Sequence, residues 1–572
     1  MKYQVKNKDY KTRNFYEEVL LNRQITQEDI DRLLNVSYEY KDPFAITGMR
    51  EAVDFFTEKY DKDLIIGLLV DSDADGYTSS SILYQFLTEE IEHPIENIRI
   101  FLQEGKQHGL NSKVFKEMLE SDVNLWIIAD SSTNDTDRQE QLHEKGMNII
   151  ILDHHNVDKE IPECVYLVNN QFENSESENL SGVGVVGKFI EALGFSVEKY
   201  LDVIAIGNIA DSMDLMDLEL RGIINYGLSH IESDLVKQFL NGIKEPCSTD
   251  VSFNIANYMN SVIRFGKKDE KQLLWDCLIG KEGTVEYKKK DGTIVQQSLT
   301  EAMERIANNV KNRQRNAVKK AVEELKKDIK RLNLEKDKCI ILRADKIESS
   351  IRGLVAQKIV SEYKKSCILL SKFKDNELAG SVRATVDIKE MLEQSGLVNF
   401  AQGHQRALGT SLIEDNVELL REYLNKVITE DVTESDVYDV DYVFEASCVK
   451  LEQVKQIGNL RALWNKNCLE PLFVLKGIEV SNLDIQHKRV AKGYETTFKY
   501  NGATFKKRFS SLKTYEQMIC KDDVKVGRKW NLEIVAVCKF VKDERTGFYY
   551  IQIEDFNSKV NKNIKKKNDI IF

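Results

Sequence analysis

Leu64-Ile-Ile-Gly-Leu-Leu-Val70-Asp71-Ser-Asp73-Ala-Asp75-Gly76 is the stretch on which the reading of this chain turns. Its first seven residues form a short apolar run of the kind that a strand buried on both faces requires. Its last six place a carboxylate at every second position where the chain leaves that strand. Side chains at that spacing in extended chain point the same way, and carboxylates so close repel unless a cation gathers them. Gly76 is expected to permit the tight turn into a helix read over residues 77–90.

Residues 125–129 and 148–152 are two further short apolar runs, with helical stretches around 114–120 and 138–145. Such alternation predicts an α/β fold with a parallel sheet and helices on both faces. The first of these runs ends in Asp130 and the second in Asp153-His154-His155. Asp211 follows residues 201–209, an apolar segment that fits strand or helix and is taken as helix. In an open parallel sheet the C-terminal strand ends meet at one crevice, so these acids and imidazoles are expected to converge. Oxygen and imidazole donors suit Mn²⁺ or Mg²⁺ better than a thiolate-preferring metal. Taken singly, Asp71–Asp75 reads equally as a solvated turn or a calcium loop, and His154-His155 as a structural pair. A calcium loop calls for Glu at its twelfth position, where Ile82 stands. What favours a functional reading is that all the acids share one structural address.

Further along, apolar residues at three- and four-residue spacing from Leu299 to Leu332 predict one long amphipathic connector helix. A smaller α/β unit follows, with strands near 339–342, 366–370 and 378–381. Beyond about Tyr438 short β-rich runs separated by Asn501-Gly502 and Thr546-Gly547 predict a small β-barrel. The organisation read from the sequence is an extension (1–40), a catalytic domain (41–298), a connector helix (299–338), a second α/β domain (339–430), a β-domain (438–556) and a basic tail (557–572). A length of 572 residues accommodates these parts. No apolar stretch is long enough to span a membrane, and no apolar run follows the basic N-terminus as in a signal peptide. Nine cysteines with no CxxC pair fit reduced thiols in a cytoplasm. A net charge of −12 argues against nucleic acid on average, but residues 476–529 carry 13 Lys/Arg against 6 Asp/Glu and residues 300–338 carry 12 against 7. Both segments could face phosphates, or be solvated lysine-rich faces.

The acids and histidines resemble the motifs of the DHH phosphoesterase superfamily: Asp71/Asp73/Asp75 its first, Asp130 its second, Asp153-His154-His155 its third and Asp211 its fourth. Gly380-Ser381-Val-Arg383, Gln402-Gly403-His404 and Ile351-Arg-Gly353 resemble the DHHA1 domain. Asn257-Tyr-Met-Asn260-Ser-Val-Ile-Arg264 is similar to another family segment. Residues 444–555 resemble the OB-type domain of RecJ single-strand-specific exonucleases, and the Lys-, Asn- and Ile-rich drift points to a phage or prophage version from a low-GC Gram-positive host. Three departures stand out. Gln402 replaces a usual glycine, Gln103 aligns with an Arg thought to read the DNA end (with Lys106 as a substitute), and the loop before the β-domain reads Trp464-Asn-Lys-Asn-Cys-Leu-Glu-Pro471.

The resemblance implies a two-metal hydrolysis of terminal phosphodiesters in single-stranded DNA, 5′ to 3′, with Mn²⁺ or Mg²⁺. Asp73, Asp75, Asp130, His154 and Asp211 are expected as ligands with Asp71 as helper and Asp130 as the bridging carboxylate. His155 would face the scissile phosphate and Asp153 orient a histidine. Arg264, Ser381, Arg383, His404, Gly403 and Lys106 would hold the substrate. Tyr494, Phe498, Tyr500, Phe505 and Phe509 would either grip the strand or fill the barrel. Partners implied are single-stranded DNA and a single-strand-binding protein or helicase, with the chain a monomer. Two alternatives stand beside this: an oligoribonuclease or cyclic-dinucleotide phosphodiesterase, which has no β-domain, and a non-catalytic replication scaffold, which tends to lose metal ligands. The terminal Asn568-Asp-Ile-Ile-Phe572 reads either as a recruitment peptide or as an apolar tail.

Overall fold

The computed structural model describes residues 1–6, 14–34, 36, 41–103, 105, 107–110, 112–429, 437–465, 467–490, 493–523 and 529–561. Lys106 and the terminal peptide 568–572 lie outside them. The first strand, β1 (Lys2–Val5), is followed by two short helices, Phe15–Asn22 and Gln27–Leu34. The catalytic-domain sheet then comprises β2 (Ile66–Val70), β3 (Ile98–Leu102), β4 (Leu125–Ala129), β5 (Asn148–Asp153) and β6 (Val165–Asn169). All five are parallel, in the order β3-β2-β4-β5-β6.

Strand periodicity sorts the core of this sheet into two layers. Ile66, Leu68, Val70, Leu125, Ile127 and Ala129 face helices Met49–Lys59, Ala74–Gln85, Gly182–Ala192 and Leu201–Ala210. Leu69, Trp126, Ile128, Ile149 and Ile151 face the opposite layer, with Val114, Phe115 and Met118 of helix Ser112–Leu119 and Leu142 of helix Thr136–Glu144. The segment 201–210 is a helix, its flank of Leu201, Ile204 and Ile206 wholly buried.

A hairpin, β7 (Thr284–Lys288) and β8 (Ile294–Ser298), leads into helix Leu299–Arg331. Ser298 and Glu301 cap that helix reciprocally. Its first half contributes Met303, Ala307 and Val310 to the catalytic-domain core, and its second half Val318, Leu325 and Ile329 to the core of the next domain. One uninterrupted helix thereby fixes both. The second domain is a mixed sheet of β9 (Cys339–Arg343), β10 (Ser366–Lys374), β11 (Glu377–Arg383), β12 (Phe400–His404) and β13 (Ala407–Ile413), ordered β12-β13-β11-β10-β9.

After β14 (Val437–Val440), seven strands build an OB-like sheet: β15 (Tyr442–Glu445), β16 (Phe473–Ser481), β17 (Gln486–Val490), β18 (Gly493–Tyr500), β19 (Ala503–Arg508), β20 (Asn531–Lys542) and β21 (Tyr549–Val560). The Tyr500 hydroxyl on β18 donates to the Gly477 carbonyl on β16 at 3.2 Å, across the curled sheet. The N-terminal residues join this domain. β1 pairs in parallel with β14, Val19, Leu20, Ile30 and Leu33 enter the barrel's core, and Arg23 grips the buried Asp441 with two contacts of 2.8 Å. No helix of the described residues is long and apolar enough to cross a membrane.

Candidate metal centre

Strands β2, β4 and β5 deliver Asp71, Asp130 and Asp153 to one end of the parallel sheet, and Asp211 arrives at the C-terminus of helix Leu201–Ala210. The His154 imidazole stands among these acids. Its Nε2 lies 3.2 Å from Asp130, 3.7 Å from Asp211 and 3.9 Å from Asp75. Burial pushes its pKa down, which favours the neutral ring that a metal needs.

Asp73 caps helix Ala74–Gln85 by accepting from the Gly76 amide at 3.2 Å, and Asp75 meets the N-terminus of helix Gly182–Ala192. There it accepts from the Gly182 amide (2.8 Å), the Ser181 hydroxyl (3.0 Å) and the Val183 amide (3.2 Å), an anion site of the usual helix-end kind. Two glycines are required by close approach. A Cβ on Gly76 would fall 2.6 Å from Asp71 Cβ, and one on Gly182 would fall 2.5 Å from Asp130 Cβ. Gly76 is helical, so space rather than a turn demands it.

Asp130 carries the strongest electrostatic signature. Burial, then the charges of Asp75, Asp73, Asp71 and Asp211, push its pKa well above the ordinary carboxylate range. Its backbone is left-handed, with φ of +60°. A folded chain that crowds acids until one resists ionisation is set up for a cation. The donor atoms of Asp130, Asp153, His154 and His155 lie within 4.8 Å of one another, as do those of Asp71, Asp73 and His108. Of these, Asp153 is the most committed to protein partners. It accepts from the Thr133 hydroxyl at 2.6 Å, the His154 amide at 2.8 Å and His155 Nδ1 at 2.7 Å. Although burial acts to raise it, the His155 charge and hydrogen bond hold this carboxyl well below its usual value. Reciprocally, Asp153 overcomes the effect of burial on His155 and raises its pKa to about 9.

His108 is a site residue that the sequence reading does not contain. Its Nδ1 lies 2.5 Å from Asp71 Oδ2, repeating the His155–Asp153 pairing on the other flank of the centre. A lone histidine in a loop, 37 positions from its partner, gives no spacing signal. Gln103 is fully buried and donates to the Gly109 carbonyl at 2.8 Å, holding that same loop.

Arg264 reaches the centre from helix Asn257–Phe265, 3.3 Å from Asp73 Oδ2, and Asn260 accepts from the Ala74 amide at 3.2 Å. From the second domain, Arg383 lies near enough for the Arg264 charge to add to burial in lowering its pKa. Arg383 and His404 are both register partners of Ala407, and Ser381 and Gln402 of Gly409. Directly opposed residues share a sheet face, so Ser381, Arg383 and His404 stand on one face, with only Ala407 and Gly409 between the flanking strands. Gly403 has φ of +126° and faces the β13 backbone. A Cβ on Gly380 would meet the Leu369 carbonyl, so its closeness is to strand β10.

In the β-domain, Phe498 and Phe505 stack on each other, 3% and 1% exposed, and fill the barrel. Tyr500 is half-buried, whereas Tyr494 (47%) and Phe509 (76%) are exposed.

Residues 65–208 match the model of the DHH family, N-terminal domain. The chain is 33% identical over 472 residues to the SPbeta prophage-derived single-strand DNA-specific exonuclease YorK of Bacillus subtilis, a putative assignment in that protein, covering 78% of this chain and 80% of the relative. It belongs to the RecJ-type DHH family. RecJ of B. subtilis is 26% identical over 442 residues, covering 74% of this chain and 53% of that one. The RecJ fold is also found in the crystal structure of Thermus thermophilus RecJ with Mn²⁺, which superposes with a TM-score of 0.67 at 18% identity, over 95% of this chain and 77% of that one.

Proposed function

We propose that this chain is an exonuclease that hydrolyses terminal phosphodiesters of single-stranded DNA, 5′ to 3′, in DNA recombination, repair or phage DNA metabolism. The observation that carries the reading is the convergence of Asp71, Asp73, Asp75, Asp130, His154 and Asp211 at one sheet end, in a chain whose RecJ relatives are named single-stranded-DNA-specific exonucleases. Asp73, Asp75, Asp130, His154 and Asp211 would hold two divalent ions, Mn²⁺ or Mg²⁺, with Asp71 beside them. RecJ of T. thermophilus has been crystallised with each. Such ions, when bound, supply a more acidic attacking water and positive charge for the leaving oxygen.

The chain's own groups do the rest. His155, held by Asp153, presents a charged imidazole at the rim, where it can donate to a phosphate oxygen. Arg264 and Arg383, one from each domain, are close enough for their charges to oppose each other, and a phosphate between them would relieve that repulsion. Ser381, His404 and the Gly403 backbone extend that surface for the following nucleotides, and Lys106 is the remaining candidate. The exposed aromatics and cations of the β-domain suit the strand beyond. We further infer a cytoplasmic monomer working with a single-strand-binding protein or helicase.

The test is digestion of single strands labelled at the 5′ or the 3′ end with Mn²⁺, Mg²⁺ or EDTA. Early release of 5′-labelled mononucleotide, dependent on metal, is expected. Release of the 3′ label first overturns the polarity, and no cleavage with either ion overturns the reading.

A further inference from the structure

Phe253 is 67% exposed, the most exposed phenylalanine of the catalytic domain. It sits in a π-helical turn, Ser252–Ala256, that runs directly into helix Asn257–Phe265. Turns of this kind cost regular hydrogen bonding and recur at functional sites. Spacings of three and four residues put Asn257, Asn260 and Arg264 on one helical stripe, and Phe253 stands in the π-helical turn at its outer end. The inner end of that stripe is fixed at the metal centre, where Asn260 binds the Ala74 amide and Arg264 binds Asp73. Its outer end adjoins the β-domain, since Asp250, one turn before Phe253, pairs with Arg461 and nearby Glu245 with Lys542. Ser252 and Thr249 also line a cavity of about 90 Å³ with Ser212, the neighbour of Asp211, and with Trp464 and Asn465 of the β-domain. Phe253 therefore stands on the wall that links the β-domain to the metal centre, about 16 Å from Arg264 by the rise of a helix. The wall is also basic. Lys311 of the long helix donates to the Asn257 carbonyl and the Ser261 hydroxyl at 3.3 and 3.0 Å, and Arg315 is its neighbour in charge.

We propose that Phe253 is a stacking platform for one base of the entering strand, a few nucleotides inside the cleaved end, while Lys311 and Arg315 attract the adjoining phosphates. The proposal rests on the single-strand exonuclease reading and adds a specificity-determining residue to it. A flat exposed ring beside cations is what a sequence-tolerant single-strand path requires, because every base offers a π-face. At 67% exposure Phe253 buries little of its ring, so packing gives it little reason to be aromatic.

The test walks 2-aminopurine along oligonucleotides whose terminal linkages resist hydrolysis, and compares the protein with Phe253→Ala, Phe253→Leu and Phe253→Trp. Quenching is expected at one internal position, lost in Phe253→Ala and restored in Phe253→Trp. On cleavable DNA, the ratio of kcat/KM for a long strand to that for a dinucleotide should fall about tenfold in Phe253→Ala and recover in Phe253→Trp. The same quenching profile in Phe253→Ala, an unchanged ratio, or recovery by Phe253→Leu as well as by Trp overturns the proposal. If the unaltered protein digests no single strand, the exonuclease reading fails instead.

Discussion

The catalytic crevice and the β-barrel bury opposite things, and the contrast says which buried residues carry information. At the ends of β2, β4 and β5 the chain buries Asp71, Asp75, Asp130 and Asp153. In the barrel it buries Phe473, Phe498, Phe505 and Phe540. Burying an aromatic ring releases water from apolar surface and needs no further reason. Burying four carboxylates costs several kcal/mol each unless partners compensate, and for Asp130 the protein neighbours are mostly more carboxylates. The crevice is thus destabilised in order to do something, whereas the barrel's interior simply holds it together.

The largest effect that could break this contrast is at Asp130. Asp130→Asn should bring cleavage below about 1% of the unaltered rate while leaving strand binding largely intact. It should also raise the Tm of the ion-free protein, because it removes a carboxyl whose ionisation burial and four like charges oppose. Added Mn²⁺ should raise the Tm of the unaltered protein by mass action and that of the variant much less. Retention of more than a few per cent of activity, or a lower ion-free Tm, would show that Asp130 is structural.

Next comes Phe505, on the other side of the contrast. Phe505→Ala should cost about 3–5 kcal/mol in the unfolding of the β-domain, read from denaturant titration of the full chain. A variant of undiminished stability that binds DNA poorly would move Phe505 from the core to the strand path.

The same contrast explains how much was legible in the sequence. The three central strands of the parallel sheet were readable because both faces are buried and their runs are apolar throughout. Of the edge strands, β3 (Ile98-Arg-Ile-Phe-Leu102) is partly exposed and broken by Arg99, whereas β6 (Val165-Tyr-Leu-Val-Asn169) is apolar up to Val168 but half-exposed over its first two residues. The acids were legible because they sit at strand ends, a position that connectivity reveals. His108 was not, because only folding brings its loop to Asp71. Nothing in residues 1–40 signals that β1 pairs with β14, since pairing across more than four hundred residues leaves no local trace. Among the barrel aromatics, alternation could not separate the inward Phe498 and Phe505 from the outward Tyr494.

A smaller effect is expected where the crevice supports its own histidine. Asp153→Asn should lower activity about 10–100-fold, the range for a partner that orients a site residue. In the ion-free protein the His155 titration should fall from about 9 toward its ordinary value. The sign follows from the direction of that shift. A histidine whose pKa is raised on folding adds stability that is complete below its unfolded value and is lost as pH rises through about 9. The fall in Tm between about pH 6.5 and 9 should therefore flatten in Asp153→Asn. An imidazole midpoint unmoved in its NMR titration would mean that another group holds His155.

The smallest effect lies at the barrel's surface, where the contrast is least secure. Tyr494 is half-exposed on the β17–β18 hairpin, and its ring stacks on His487 at 5.2 Å, which in turn stacks on Tyr515 at 5.1 Å. Lys488 and Arg489 stand exposed on the same hairpin. Stacking of a base on an aromatic side chain contributes about 1–3 kcal/mol, but His487 already covers one face of Tyr494, so the lower end applies. Tyr494→Ala should weaken single-strand binding about fivefold with little change in Tm. Lys488→Gln should reduce the slope of log affinity against log salt by about 1 if that lysine meets a phosphate. Anisotropy titrations at several salt concentrations measure both. Unchanged affinity and slope in the two variants would take this hairpin off the strand's path. The three-ring stack would then be one more case of aromatic packing, reached at the surface instead of the core.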